Sequence, residues 1–168
     1  MKRLIYILAI VAVVVAASGC TGDPWASNKT YSGNGVTFQY PGTWSENATK
    51  AVSTPSGSTG IIAVGNDADE QGFAVASVSG SGLSNSALEG ILNQLKTEYK
   101  NQGFTSEKTL KVDGVQATML SNPNPDASKV YTTVALWVKN GRIYIAAYAS
   151  PDTDTATLER ILSSLKTT

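Results

Sequence analysis

Asn140 and Gly141 separate two strand-like runs that are apolar on both faces, and this pair constrains the fold more than any other feature of the chain. An Asn-Gly pair at that spacing predicts a two-residue hairpin of the primed type, because both central residues must take positive φ. The register then pairs Val138 with Ile143 and Leu136 with Ile145 on one face. Trp137 faces Tyr144, Ala135 faces Ala146, and Thr133 faces Tyr148 on the other. A strand pair that is apolar or aromatic on both sides needs cover on both sides. The hairpin therefore belongs in the middle of a sheet, with a layer packed on each face.

A second two-residue turn, Asp113-Gly114, predicts a hairpin pairing Val112 with Val115 and Leu110 with Ala117, with Met119 on their face. Lys111, Gln116, Thr109 and Thr118 take the polar side. Upstream, Gly35–Tyr40 alternates as a half-buried strand and Pro41-Gly42 ends it. Ala48–Thr54 reads as a weak strand, and Ile61–Val64 and Phe73–Val78 read as strands joined by the acidic loop 65–72. Ser86–Lys100 predicts a helix with Leu88, Ile91, Leu92, Leu95 and Tyr99 on one face, Ser86 and Glu89 at capping-box spacing, and Gly103 as its stop. After Pro151, the stretch 152–155 supplies cap residues for a last helix carrying Leu158, Ile161, Leu162 and Leu165. The expectation is an α+β chain: a mostly antiparallel sheet with two main helices.

The N-terminus speaks to location. Lys2 and Arg3 precede an apolar run from Leu4 to Ala17, closed by Ala17-Ser18-Gly19-Cys20. The run suits a signal-peptide core of about 7–15 residues better than a spanning helix of about 20. The segment resembles the lipobox of prokaryotic lipoproteins, with Ala17 in place of the commoner Leu. That resemblance implies a diacylglyceryl thioether on Cys20 and cleavage before it, giving a signal at 1–19. An uncleaved anchor is the alternative reading, and either way the domain is tethered to the extracytoplasmic face of the cell membrane. Residues 20–34, polar and without strand or helix period, are expected to form a flexible tether, and 35–168 a single domain. Trp25 within the tether is placed either at the membrane interface or against the domain.

Removing the signal takes Lys2 and Arg3 from 13 basic residues, leaving 11 against 13 acidic, a net charge of −2. No general electrostatic case for nucleic acid or for anionic lipid binding follows from that balance. Cys20 is the only cysteine, so once lipidated it leaves no thiol for a disulfide. The chain has no histidine, which removes Ser–His and Cys–His pairs and histidine metal sites. No catalytic motif stands out, and the domain is expected not to be an enzyme and to hold no cofactor. Weak candidates remain. Asp67, Asp69 and Glu70 are oxygen donors for calcium, against the plainer reading of a solvated loop. Asn28 and Asn47 open glycosylation sequons. Asp152 and Asp154 fit caps better than a metal site, and Gly80-Ser81-Gly82 lacks the lysine of a phosphate loop. The segment 122–126 reads as a turn or recognition loop. Trp44, Trp137, Tyr131, Tyr144 and Tyr148 read as core rather than as an aromatic binding surface.

Taken together, Gly35-Val36-Thr37-Phe38-Gln39-Tyr40-Pro41-Gly42-Thr43-Trp44 resembles the "strand, Tyr-Pro, x-x-Trp" opening of the PsbP-like family. The hairpin at Gly114-Val115, the strand from Arg142 to Ala149 and the closing Ile161-Leu162-Ser163-Ser164-Leu165-Lys166 follow the same order. The resemblance spans roughly residues 35–166. It implies an α/β/α sandwich around an antiparallel sheet, with no family-wide catalytic site, and relatives that act as extrinsic subunits of a photosynthetic membrane complex or as protein-binding modules. The photosystem role does not carry over, since nothing here matches its binding residues. The resulting expectation is a non-catalytic accessory module that binds an envelope protein. Its alternative is a surface domain for a small ligand or calcium.

Overall fold

The structure is a computed structural model that describes residues 23–47, 58–66, 70–125 and 129–168. In chain order the elements are β1 (Lys29–Gly33), β2 (Val36–Tyr40), β3 (Ser45–Asn47), β4 (Ser58–Asn66), β5 (Gln71–Ser79), α1 (Asn85–Asn101), β6 (Ser106–Val112), β7 (Val115–Ser121), β8 (Tyr131–Lys139), β9 (Arg142–Ser150), α2 (Ala156–Ser164) and β10 (Lys166–Thr167). Seven strands form one antiparallel sheet in the order β3-β4-β5-β9-β8-β7-β6, and β1-β2-β10 form a small second sheet.

The β8–β9 hairpin lies in the interior of the large sheet, and every pair expected of it is present, from Val138 with Ile143 to Thr133 with Tyr148. The Asp113-Gly114 hairpin also keeps its expected register. One face of the large sheet presents Leu120, Val134, Leu136, Ile143, Ile145 and Ala147 to α1, which supplies Leu88, Leu92 and Tyr99. The other presents Phe73, Val75, Ala135, Trp137, Tyr144 and Tyr148 to α2 and the small sheet. The fold is thus α+β, a sheet between two layers, but one layer is part helix and part sheet.

That second sheet corrects the expected tether. Lys29–Gly33 pairs with β2 throughout its length, and Tyr31, only 8% exposed, stacks on Phe38 at 5.3 Å. Tyr31 is the one fully buried residue of an edge strand, so no alternation marks it. The informative signal was the turn. Asn34 and Gly35 take φ of 50° and 76°, matching Asp113-Gly114 and Asn140-Gly141. Residues 23–28 also lie against the domain: the Gly42 N–H donates to Pro24 O at 2.9 Å. A Cβ at Gly42 would sit 1.8 Å from Ser27 O, so only glycine allows this approach.

Helix α1 begins earlier than the capping-box spacing implied. Ser84, not Ser86, is the N-cap, and its Oγ accepts the Ala87 N–H at 3.2 Å. Leu88 is fully buried and packs where a Cβ at Gly80 would stand, so the first turn must enter beside Gly80. Ile91 is 37% exposed, at the margin of the buried face rather than within it. Gly103 does end the helix. At φ of 94° it lets its own N–H reach Lys100 O and the Phe104 N–H reach Tyr99 O, and the Tyr99 and Phe104 rings meet at 5.2 Å. The weak strand proposed over 48–54 lies outside the described residues.

Candidate functional site

Where β6 begins, β7 ends, β8 begins and the chain turns into α2, the surface opens into a groove of about 300 Å³. Ser106, Lys108, Ser121, Asn122, Tyr131, Thr133, Thr153 and Thr155 line it with polar groups, and Met119 is among its apolar surfaces. The lining follows from local structure. Antiparallel pairing sets Ser121 against Thr133, whose hydroxyl donates to the Ser121 Oγ at 2.9 Å. Asn122 leaves the sheet in an Asx turn, its Oδ1 accepting the Asn124 N–H at 3.0 Å.

Lys108 crosses the groove wall to α2, its Nζ 2.7 and 2.8 Å from the two Glu159 oxygens. Thr155 donates to the same carboxylate at 2.9 Å. The Lys108 hydrogen bond, with help from Thr155 and against partial burial, holds Glu159 below the usual carboxylate range. The groove offers neutral hydroxyl and amide groups, one half-buried phenol ring, and the Lys108 ammonium already paired with Glu159.

The predicted residues scatter. Cys20, Asp67 and Asp69 lie outside the described residues. Glu70 is half-buried in the turn between β4 and β5, at φ of 52°. Among the described residues, no three acidic or sulfur groups cluster for a metal. Asn28 is exposed just before β1, and Asn47 ends β3. Thr155 is the N-cap of α2; Asp154 Oδ1 accepts the N–H of Ala156, the first helical residue, at 2.9 Å, and Asp152 Oδ1 accepts that of Asp154, ahead of the helix, at 3.0 Å. Of the aromatic set, Trp44, Trp137, Tyr144 and Tyr148 are buried and stack in pairs, Trp137 on Tyr144 at 5.2 Å and Trp44 on Tyr148 at 6.5 Å. Only Tyr131 reaches the groove. Sequence reasoning missed Ser106, Ser121 and Thr133 as neighbours, since small polar residues on strands carry no motif.

A second polar cluster ties the opposite end of the molecule together. Asp113 Oδ2 lies 2.5 Å from Lys139 Nζ and accepts the N–H and hydroxyl of Thr167, both at 2.8 Å. Burial raises the Asp113 pKa, but the hydrogen bonds from Lys139 and Thr167 outweigh it and hold the carboxyl far below the usual range.

The same architecture is found in the solution structure of cyanobacterial PsbP, CyanoP, from Synechocystis sp. PCC 6803. It superposes with a TM-score of 0.53 over 91% of this chain and 98% of that one, at 15% identity. The fold is PsbP-like. A crystal structure from Bacteroides thetaiotaomicron VPI-5482 is also similar, with a TM-score of 0.57 and 11% identity. It covers 83% of this chain and 48% of that one, so the chain spans about half the length of that protein. No protein-family model matches the sequence, and no curated protein is similar to it. At these identities the PsbP-like likeness is one of fold.

Proposed function

We propose that the chain is a lipid-anchored extracytoplasmic protein whose PsbP-like domain acts by binding, as a non-catalytic accessory module of an envelope complex. The observation that carries this reading is a conjunction: Ala17-Ser18-Gly19-Cys20 closes an apolar signal-like run, and the domain that follows has a fold matching 98% of the CyanoP chain. Two acyl chains at about 0.8 kcal/mol per buried methylene would hold such a domain firmly on a bilayer. Metabolic labelling with a radioactive fatty acid tests the anchor: wild type carries the label and Cys20→Ser does not. Cross-linking in intact cells then tests the binding role. Recovery of an envelope protein with the wild type supports it, and recovery of monomer alone under several growth conditions counts against it.

A second reading, a domain for a small polar ligand, is favoured by the groove lined by Ser121, Thr133, Asn122 and Tyr131. Calorimetry of the purified protein against simple sugars and polyols tests it, and an absence of heat throughout would remove it.

A further inference from the structure

Two residues, Thr21 and Gly22, lie between Cys20 and Asp23, and Asp23 already belongs to the folded domain. Its carbonyl accepts the Ala26 N–H and its Oδ1 the Trp25 N–H, both at 2.9 Å. The turn so formed is held to the domain by the Gly42–Pro24 hydrogen bond and the close seat of Ser27 on Gly42. Three Cα–Cα steps of 3.8 Å permit at most about 11 Å between Cys20 and Asp23. The headgroup layer of a bilayer is itself about 5–8 Å deep on each side. A lipid on Cys20 therefore leaves a gap no wider than a single helix between the bilayer and this end of the domain.

That end presents a particular pair. Trp25 is half-buried against the core, and the Arg160 guanidinium of α2 lies 4.2 Å over its ring. Indole rings favour the bilayer interface, where an apolar body and a polar edge are both accommodated. Arginine matches phosphate with paired N–H donors, and its weakly hydrated cation tolerates stacking on an aromatic face. We propose that Trp25 and Arg160 form a bilayer-contact site for the phosphate headgroups of anionic lipid, which holds the domain flush on its membrane. The inference rests on the lipid-anchor reading of Cys20. A protein occupant is disfavoured because the short link leaves room for no more than a single helix. The orientation follows from β2. Its Tyr40 end pairs with Lys29, on the side of Trp25, while its Val36 end pairs with Gly33 and Thr167. The Asn34-Gly35 and Asp113-Gly114 turns therefore point away from the bilayer.

Tryptophan quenching provides the test, because Trp44 and Trp137 are fully buried and only Trp25 is open to a quencher. The full-length protein, purified with its native lipid, is reconstituted in vesicles of phosphatidylethanolamine and phosphatidylglycerol carrying a headgroup-level spin-labelled lipid. The mass of the N-terminal peptide reports lipid on Cys20 independently. The expected result is lipid on Cys20 together with quenching that is reduced by Arg160→Glu. A flexible Gly/Ser insert of about 20 residues after Gly22, with a reach of about 25 Å, should abolish the quenching. Unchanged thermal melts show that both variants remain folded. Lipid on Cys20 without quenching in the wild type would overturn the contact site and leave the anchor standing. Quenching that persists with the long insert would overturn the role of the short link. Trp25 cross-linked to a protein and shielded from the quencher would overturn the lipid occupant. Absence of lipid on Cys20 would remove both readings together.

Discussion

Asp113, in the turn between β6 and β7, accepts both the N–H and the hydroxyl of Thr167, 54 residues further along the chain. The contact joins the edge of the large sheet to the last strand of the small one. Lys139, from the neighbouring hairpin turn, closes the arrangement through Asp113 Oδ2 and the Asp113 carbonyl. Asp113→Asn keeps a residue suited to the φ of 49° at this position but removes the charge. We expect a loss of about 1–3 kcal/mol in urea unfolding, with faster amide exchange at Thr167. An unchanged midpoint and exchange rate would show that the latch contributes nothing.

The same carboxylate sets an acid limit. Because its pKa is lowered on folding, its contribution is complete above the ordinary aspartate value of 3.8 and is lost as pH falls below that. Glu159 and Glu107, lowered by Lys108 and Lys100 respectively, act in the same direction below the ordinary glutamate value of 4.5. Stability measured from pH 7 down to pH 2 should therefore fall at the acid end, and fall less steeply in Asp113→Asn. Parallel curves for the two proteins would refute the assignment.

Tyr31 distinguishes a strand from a tether. Its ring stacks on Phe38 in the core shared by both sheets, so Tyr31→Ala should cost about 3 kcal/mol. A residue in a loose linker would change stability by no more than about 0.5 kcal/mol when truncated. Thermal denaturation of the single variant decides between them.

Trp44 is fully buried, stacked on Tyr148, and its Nε1 has no hydrogen-bond partner among the described residues. Trp44→Ala should cost about 3–5 kcal/mol through the cavity it leaves. Trp44→Phe keeps a ring and removes the unpaired N–H, so its cost should be well below half of that. Equal losses for the two would show that the ring stack is not what the residue contributes.

The two candidate caps of α1 make opposite predictions. Ser84→Ala should cost about 0.5–2 kcal/mol, while Ser86→Ala should stay within about 0.5 kcal/mol. The order reverses if Ser86 is the cap in solution.

The central hairpin was readable because its register depends only on a two-residue turn and a period of two, both local properties. The sequence registers around Asp113-Gly114 and Asn140-Gly141 recur pair by pair in the structure. The N-terminal strand was less readable: Tyr31 alone is fully buried, and its partner Phe38 lies across a turn whose Asn34-Gly35 signature is as good as the other two. The cap of α1 was misplaced because Ser84 and Ser86 both offer hydroxyls, and the choice depends on where Leu88 meets the sheet.

The paired hairpins and the two amphipathic helices were set by the sequence alone. These rest on covalent neighbours, and hydrogen-bond geometry leaves them few alternatives. Tertiary structure decided what sits beside what. It brought Arg160 over Trp25 across 135 positions of sequence and Asp113 to Thr167. It also gathered Ser106, Ser121 and Thr133 around one groove. Such contacts are set by how whole layers pack to exclude water, and no local period encodes that.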